Sequence, residues 1–185
     1  MKKIKSLQIA TEKYIRLKDA IQQALFAPMQ PFTFVPGGFY SNININDTDE
    51  GRFFVFDYCS ANENYRCGIV HHNGAFLVVD CNQKILYCSK HCLARFGERS
   101  FHKDLKISIL DELKIFLYNI IEYINNAIPD HWIIGDLGVV HTEKGKLEYL
   151  DLEYTGFLTY LTQSQLTKQQ QIALGMLPRY PGSNP

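Results

Sequence analysis

The sequence predicts an α+β domain, in which an antiparallel sheet carries helices on one face and follows an amphipathic N-terminal helix. Three observations support this fold class. Near the N-terminus, apolar residues recur at steps of three and four, the spacing of a helix that buries one side. Short apolar runs separated by turn residues then indicate consecutive hairpins. A second long helical pattern lies between the hairpins, so helices and strands are segregated along the chain.

Composition narrows the functional classes. The chain has 185 residues, of which 46% are apolar, so it can bury a core. Lysine plus arginine balances aspartate plus glutamate at 19 each, which disfavours binding to nucleic acid through net charge. No apolar run is long enough to span a membrane and no signal peptide is apparent, so we expect a cytoplasmic protein. An odd number of cysteines favours free thiols. The cysteines are Cys59, Cys67, Cys81, Cys88 and Cys92.

The first helix is predicted over residues 3–26, within an N-terminal segment 1–27. Its stripe fits a helix packed on its own domain and also a short coiled-coil seam. From the seam we expect a homodimer formed through this helix, and we expect a chain without residues 1–26 to fold as a monomer. The stripe consists of Leu7, Ala10, Tyr14, Leu17, Ile21 and Ala24.

Residues 28–51 are predicted to be an irregular connector, because prolines and glycines break regular structure and a polar run follows. The main domain is predicted over 52–162. A short helix is expected at 91–96, with Gly97 placed to end it. Strands in its first half are predicted at 52–58, 67–71, 75–79 and 84–88.

The second half of the domain begins with a helix predicted at 104–126, which Pro129 terminates. Strands are predicted at 132–141, 146–152 and 157–161, with a turn at 143–145 between the first two. A terminal helix at 167–177, capped by Thr167, and a loose tail complete the segment 163–185.

The segment GAFLVVDCNQKILYCSKHCLARFG, from Gly74 to Gly97, contains the most informative motif. An apolar strand ends in Asp80, a polar turn leads to a strand that opens with Ile85, and a short helix follows. This order resembles the opening of a PAS sensor domain, and the upstream CGIVHHNGAFLVVD looks like the lead-in to the first such domain of phytochromes. The resemblance extends in order over 52–162. It departs from the family at Ser89, where the usual residue is asparagine, and it lacks the flavin-binding motif.

The resemblance implies a non-catalytic sensory or regulatory domain that binds a small molecule or a partner protein, with transcription regulation as one such role. Flanking helices would relay the signal. The ligand would lie between the sheet and the helices, against aromatic side chains that otherwise simply fill the core. The sequence does not identify a cofactor. The predicted ligand-binding residues are Phe54, Phe56, Tyr87, Phe116 and Trp132.

The alternative is a zinc-stabilised interaction module. Cys67, Cys88 and Cys92, with Cys81, His71 or His91 as a fourth ligand, are similar to small YHS and TRASH modules. Zinc takes four such ligands in tetrahedral sites. No paired CxxC knuckle is present, so we predict no bound metal.

Three weaker patterns indicate other functions. Asp136 and Asp151 resemble the catalytic and metal-binding carboxylates of aminoglycoside-type phosphotransferases, but no phosphate loop precedes them, and we predict no enzyme. Residues 164–174 look like the first helix of a LuxR-type helix-turn-helix. No recognition helix follows, so this chain is not expected to bind nucleic acid directly. His102 would be an axial ligand if a cavity held haem.

Overall fold

The computed structural model describes residues 2–28, 39–60, 64–100, 107–120, 132–135, 138–147 and 151–176. In chain order its elements are α1 (Lys2–Phe26), β1 (Phe39–Thr48), β2 (Gly51–Ser60), β3 (Asn64–His72), β4 (Ala75–Asp80), β5 (Ile85–Cys88), α2 (Lys90–Ser100), α3 (Ile109–Ile120), β6 (Trp132–Ile134), β7 (Val139–Leu147), β8 (Leu152–Leu161), a 3-10 turn (Gln163–Gln165) and α4 (Lys168–Ala173).

Within these residues, eight strands form one sheet in the order β1-β2-β3-β4-β5-β8-β7-β6. Neighbouring strands are antiparallel except β5 and β8, which are parallel. After β5 the chain passes through α2 and α3 and then builds β6, β7 and β8 in a meander that returns to β5. The α+β class is confirmed, with a sheet that is mostly rather than entirely antiparallel.

The two faces of the sheet bury different side chains because successive residues of a strand point to opposite sides. Along β2, Phe54 and Phe56 lie on the face covered by α2 and α3, which we call the α2/α3 face. Phe53 and Val55 lie on the opposite face, the α1 face, which α1 covers. The apolar run of this strand is therefore continuous because both of its faces are buried.

Helix α1 packs on its own sheet, against β2, β3 and β4. The prediction of a helix at 3–26 is confirmed, but its stripe does not remain available for a second chain. Leu7, Tyr14, Leu17 and Ile21 are between 1% and 4% exposed within a single chain. Gly68 lies directly beneath Ile21, where a Cβ atom would collide with the isoleucine side chain. The structure therefore gives no support to a homodimer through this helix or to a stable chain without it.

A buried ion pair fixes the C-terminal end of α1. The guanidinium of Arg66 donates to the carboxylate of Asp57, with Nε and Oδ1 2.5 Å apart, and both side chains are at most 10% exposed. The same guanidinium donates to the backbone carbonyls of Ala24, at 3.4 Å, and Ala27. Carbonyls at a helix C-terminus lack partners within the helix, so a cation placed there stabilises the end.

The prediction that 28–51 is entirely irregular is wrong, since residues 39–48 form strand β1 in a hairpin with β2. The sequence FYSNININDT lies in the polar run that follows the prolines and glycines of this segment, which together favour a connector. Its isoleucines and asparagines nevertheless alternate, which is the period of an edge strand with one apolar side. Residues 29–38 lie outside the described part of the chain.

The strands after α3 and the end of α2 differ from the prediction. The predicted strand 132–141 is two antiparallel strands, β6 and β7, and β7 runs straight through the predicted turn at 143–145. The chain instead reverses before β8, next to Asp151, whose φ is 51°. Helix α2 continues past Gly97 to Ser100. Gly97 therefore lies inside the helix, next to the side-chain carboxylate of Glu112 of α3, and does not end it.

The remaining helices agree with the sequence where they are described. Of the helix predicted at 104–126, the described part is Ile109–Ile120, and it packs on the α2/α3 face. The terminal helix is shorter than predicted, Lys168–Ala173, and Thr167 caps it by accepting a hydrogen bond from the Gln170 amide at 3.2 Å.

Candidate functional site

The five residues predicted to bind a ligand do not come together in the structure. Phe54, Phe56 and Phe116 belong to the buried cluster of the α2/α3 face. Tyr87 lies on the other side of the sheet, in the cluster beneath α1. The side chain of Trp132 lies outside the described part of the structure. A single pocket containing these rings therefore does not form among the residues described.

On the α2/α3 face the rings pack against one another. Phe116 meets the ring of Phe96 edge-on, with centroids 5.2 Å apart, and that of Phe157 at 5.7 Å. Phe96 also meets Tyr160 at 5.1 Å. All three phenylalanines are fully buried. Edge-to-face contact at such distances is the usual packing of aromatic rings in a protein core, so these residues fill space.

A cavity of about 640 Å³ adjoins Tyr87, and we call it the Tyr87 cavity. It opens where the N-terminal part of α1, the strands β4 and β5, and the first turn of α2 meet. Its volume lies within the range of about 300–1,000 Å³ typical of ligand pockets. The lining residues are Ser6, Asn73, Ala75, Tyr87, Ser89, Lys90, His91 and Leu158.

Polar groups from both helices face this cavity. Burial raises the pKa of the Tyr87 phenol, and a hydrogen bond with Ser6 of α1 partly opposes that shift. Lys90, the first residue of α2, extends across the β3–β4 turn, where a Cβ atom on Gly74 would lie 3.1 Å from the Cδ of the lysine. Gly74 has a φ of 79°, which favours glycine. Thus Tyr87 and Ser6 supply hydroxyl groups, and Lys90 supplies the positive charge at the rim.

Ser89 connects the cavity to the sheet and to α2. Its hydroxyl donates to the carbonyl of Phe157 at 3.0 Å and accepts from the amide of Cys92 at 3.1 Å. The second bond caps α2, the usual role of serine before a helix. At the position where the sequence departs from the PAS pattern, this serine therefore joins β8 to the start of α2. A molecule bound in the cavity would touch this junction.

A second cavity, of about 670 Å³, lies at the β4–β5 turn, and we call it the lysine-rich cavity; the sequence did not predict it. Lys84, Lys144, Lys146 and Glu153 contribute to its lining. Lys146 pairs with Asp151, with Nζ and Oδ1 2.5 Å apart. Burial lowers the pKa of Lys84, and Lys144 adds to that shift. Lys84 and the two lysines of β7 are far apart in the sequence, and they come together only because β5 pairs with β8, the neighbour of β7.

Three cysteines of the zinc alternative, Cys67, Cys88 and Cys92, are buried. Burial raises the pKa of Cys67 and Cys88 well above the usual value and that of Cys92 to about 12. Zinc binds the thiolate, so burial without a metal favours the inert form. Across the described residues, no three His, Cys, Asp or Glu side chains converge on a metal-binding position. The structure therefore gives the zinc module no support.

The other sequence patterns receive no support either. Asp151 is a turn residue whose carboxylate pairs with Lys146, while Asp136 and His102 lie outside the described residues. The six-residue helix α4 packs near Val139, Leu166 and Leu174 at the end of the domain. None of the described helices is both long enough and apolar enough to cross a bilayer.

Comparison with known proteins returned no match to a family model, to a curated protein or to a solved structure.

Proposed function

We propose that this domain is a non-catalytic sensor that binds a small molecule in the Tyr87 cavity and relays the binding to α1 and α2. The observation that carries the proposal is the position of the cavity. Ser6 brings α1 to it, and Ser89, Lys90 and His91 bring the first turn of α2. A ligand that fits one packing of these helices better than another shifts the balance between them.

The lining indicates the chemical class of the ligand. Ala75 and Leu158 provide an apolar surface, the phenol of Tyr87 provides a hydrogen-bonding group, and Lys90 provides a positive charge. In the described part of the lining there is no carboxylate to compete for that lysine. This combination favours a small carboxylate with an apolar body, which would bury its hydrocarbon part and leave its charge near the N-terminus of α2.

The test is a thermal-shift screen with a panel of aromatic and aliphatic carboxylates, followed by calorimetry on any compound that raises the melting temperature. A ligand that binds only the folded protein stabilises it by mass action. We expect a Leu158→Trp variant, which fills the cavity, to lose this shift. The matched control is Leu152→Trp, because Leu152 lies on the same strand and lines the lysine-rich cavity instead.

The proposal fails if no carboxylate stabilises the wild-type protein or if Leu158→Trp keeps the full shift. Far-ultraviolet circular dichroism of both variants shows whether they are folded. A shift that disappears in Leu152→Trp and persists in Leu158→Trp would move the binding site to the lysine-rich cavity.

A further inference from the structure

Strand β1 forms one edge of the sheet and has the properties of a pairing surface. It is ten residues long and its described neighbour is β2 alone. An edge strand presents unpaired backbone donors and acceptors, and natural proteins commonly protect such strands with lysine, proline or a short length. The sequence FYSNININDT contains neither lysine nor proline. Its one charged residue, Asp47, is already paired with Arg52 of β2, with Nε and Oδ1 2.6 Å apart.

The apolar side of β1 is only half covered. Ile43 packs against the core of the α2/α3 face. Ile45, two residues further on the same side, is 58% exposed, although it is a large apolar residue. On the opposite side of the strand lie three asparagines, Asn42, Asn44 and Asn46. The strand therefore presents an exposed isoleucine at an edge along which no described strand pairs.

We propose that β1 pairs with β1 of a second copy of this chain, antiparallel and about a two-fold axis at Asn44. In this register Ile43 faces the partner's Ile45, and Ile45 faces the partner's Ile43. Each exposed isoleucine is then covered by one that already belongs to a core. Aliphatic pairs across neighbouring strands stabilise a sheet.

The charges select this arrangement over its alternatives. In the antiparallel register Asp47 faces the partner's Ser41, whereas in-register parallel pairing places two Asp47 carboxylates next to each other, which is destabilising. Pairing of β1 with the opposite edge of a second chain is limited by the three residues of β6. A two-fold contact uses the same surface on both chains, so assembly stops at the dimer. Such contacts are the commonest in soluble oligomers.

The first experiment is sedimentation velocity of the full chain from about 1 to 500 µM, a range that covers weak to moderate association. We expect the mass to rise with concentration from 21.3 kDa towards twice that value. An Ile45→Lys variant is expected to remain at the lower mass. The matched control is Ile15→Lys, which charges another exposed isoleucine, 42% exposed on α1, and is expected to associate like the wild-type protein.

The second experiment tests the register by disulfide formation in a Cys81→Ser background, since Cys81 is the exposed native cysteine. At the two-fold axis, Asn44→Cys places two thiols directly opposite, within about 5 Å between Cβ atoms. Asn46→Cys lies on the same side of the same strand, but its two thiols would be displaced by four residues along the strand direction, about 13 Å apart. We therefore expect oxidation to cross-link the first variant and not the second.

A wild-type mass of 21.3 kDa at every concentration overturns the proposal, as does dimerisation of Ile45→Lys to the wild-type extent. Stronger cross-linking of Asn46→Cys than of Asn44→Cys overturns the stated register. Ile45 and Asn44 are exposed, so we expect the variants to fold. Circular dichroism of each variant checks this.

Discussion

The α2/α3 face and the α1 face belong to one sheet, but they are covered in different ways. On the α2/α3 face, two helices cover strands that contribute rings to one interlocked cluster around Phe116. On the α1 face a single helix crosses β2, β3 and β4, and β5 lies at its margin. The Tyr87 cavity opens at that margin. In this fold, open space lies where helical cover ends rather than where aromatic residues are concentrated.

The largest expected effect concerns the packed face. Replacing Phe116 with alanine should lower the free energy of unfolding by about 3–5 kcal/mol, because it leaves a void among rings that cannot close over it. Urea denaturation monitored by circular dichroism measures the change. The control is Ile109→Ala on the same helix, where the side chain is already 39% exposed and the loss should be well below that of Phe116.

A small loss of stability in Phe116→Ala would contradict the comparison, because it would mean that the packed face also contains accommodating space. Phe116 would then return as a candidate ligand-binding residue, as the sequence suggested.

The second prediction concerns the attachment of α1. Changing Arg66 to methionine leaves the Asp57 carboxylate buried without its partner and removes the donors to Ala24 and Ala27. Breaking a buried pair in this way should cost about 3 kcal/mol, the lower end of the usual range, because Asn44 still donates to the Asp57 carboxylate at 3.4 Å. The loss is measured by thermal and urea denaturation.

The matched control is Arg52→Met, which breaks the pair between Arg52 and Asp47 on the neighbouring strands. Both of those side chains are about 60% exposed, so we expect little change, because water replaces the partner. Equal effects of the two substitutions would show that Arg66 contributes no more than a surface charge, and that α1 is held by its apolar stripe alone.

The parts of the structure that the sequence could predict are those with local signals. Helix α1 and the hairpin of β4 and β5 were recognised because their signals are local: a period of three and four, and a turn of polar residues. Local patterns do not specify that β5 lies beside β8. The face on which Tyr87 lies follows from its pairing with Leu77 of β4, but the cavity beside it also needs Leu158 of β8.

Strand β1 could not be predicted because its composition is polar. Asparagine is depleted in strands, so the polar composition of residues 39–48 outweighed the alternation of Ile43 and Ile45. Within a hairpin, pairing with the strongly apolar β2 compensates for this low propensity. The turn at 49–50 lies within the same polar run, so the sequence does not mark it as the turn of a hairpin.

The smallest predicted effect is a pH dependence at the edge of the α2/α3 face, where His71 pairs with Phe76. His71 accepts a hydrogen bond from the amide of Gly74 at 2.9 Å through Nε2, and its ring stacks on Phe76 with centroids 4.6 Å apart. Burial, with the positive charges of Lys13 and His72, lowers the pKa of His71 below its usual value of 6.5.

The unfolded chain therefore binds a proton at a higher pH than the folded protein does. The stability that depends on neutral His71 is fully present above pH 6.5 and is lost as the pH falls from there through the lower pKa of the folded state. We expect the melting temperature to fall between pH 7.5 and 5.5, and the fall to be smaller in His71→Gln than in the control His72→Gln. Parallel profiles for the wild-type protein and both variants would show that protonation of His71 does not strain the β3–β4 turn.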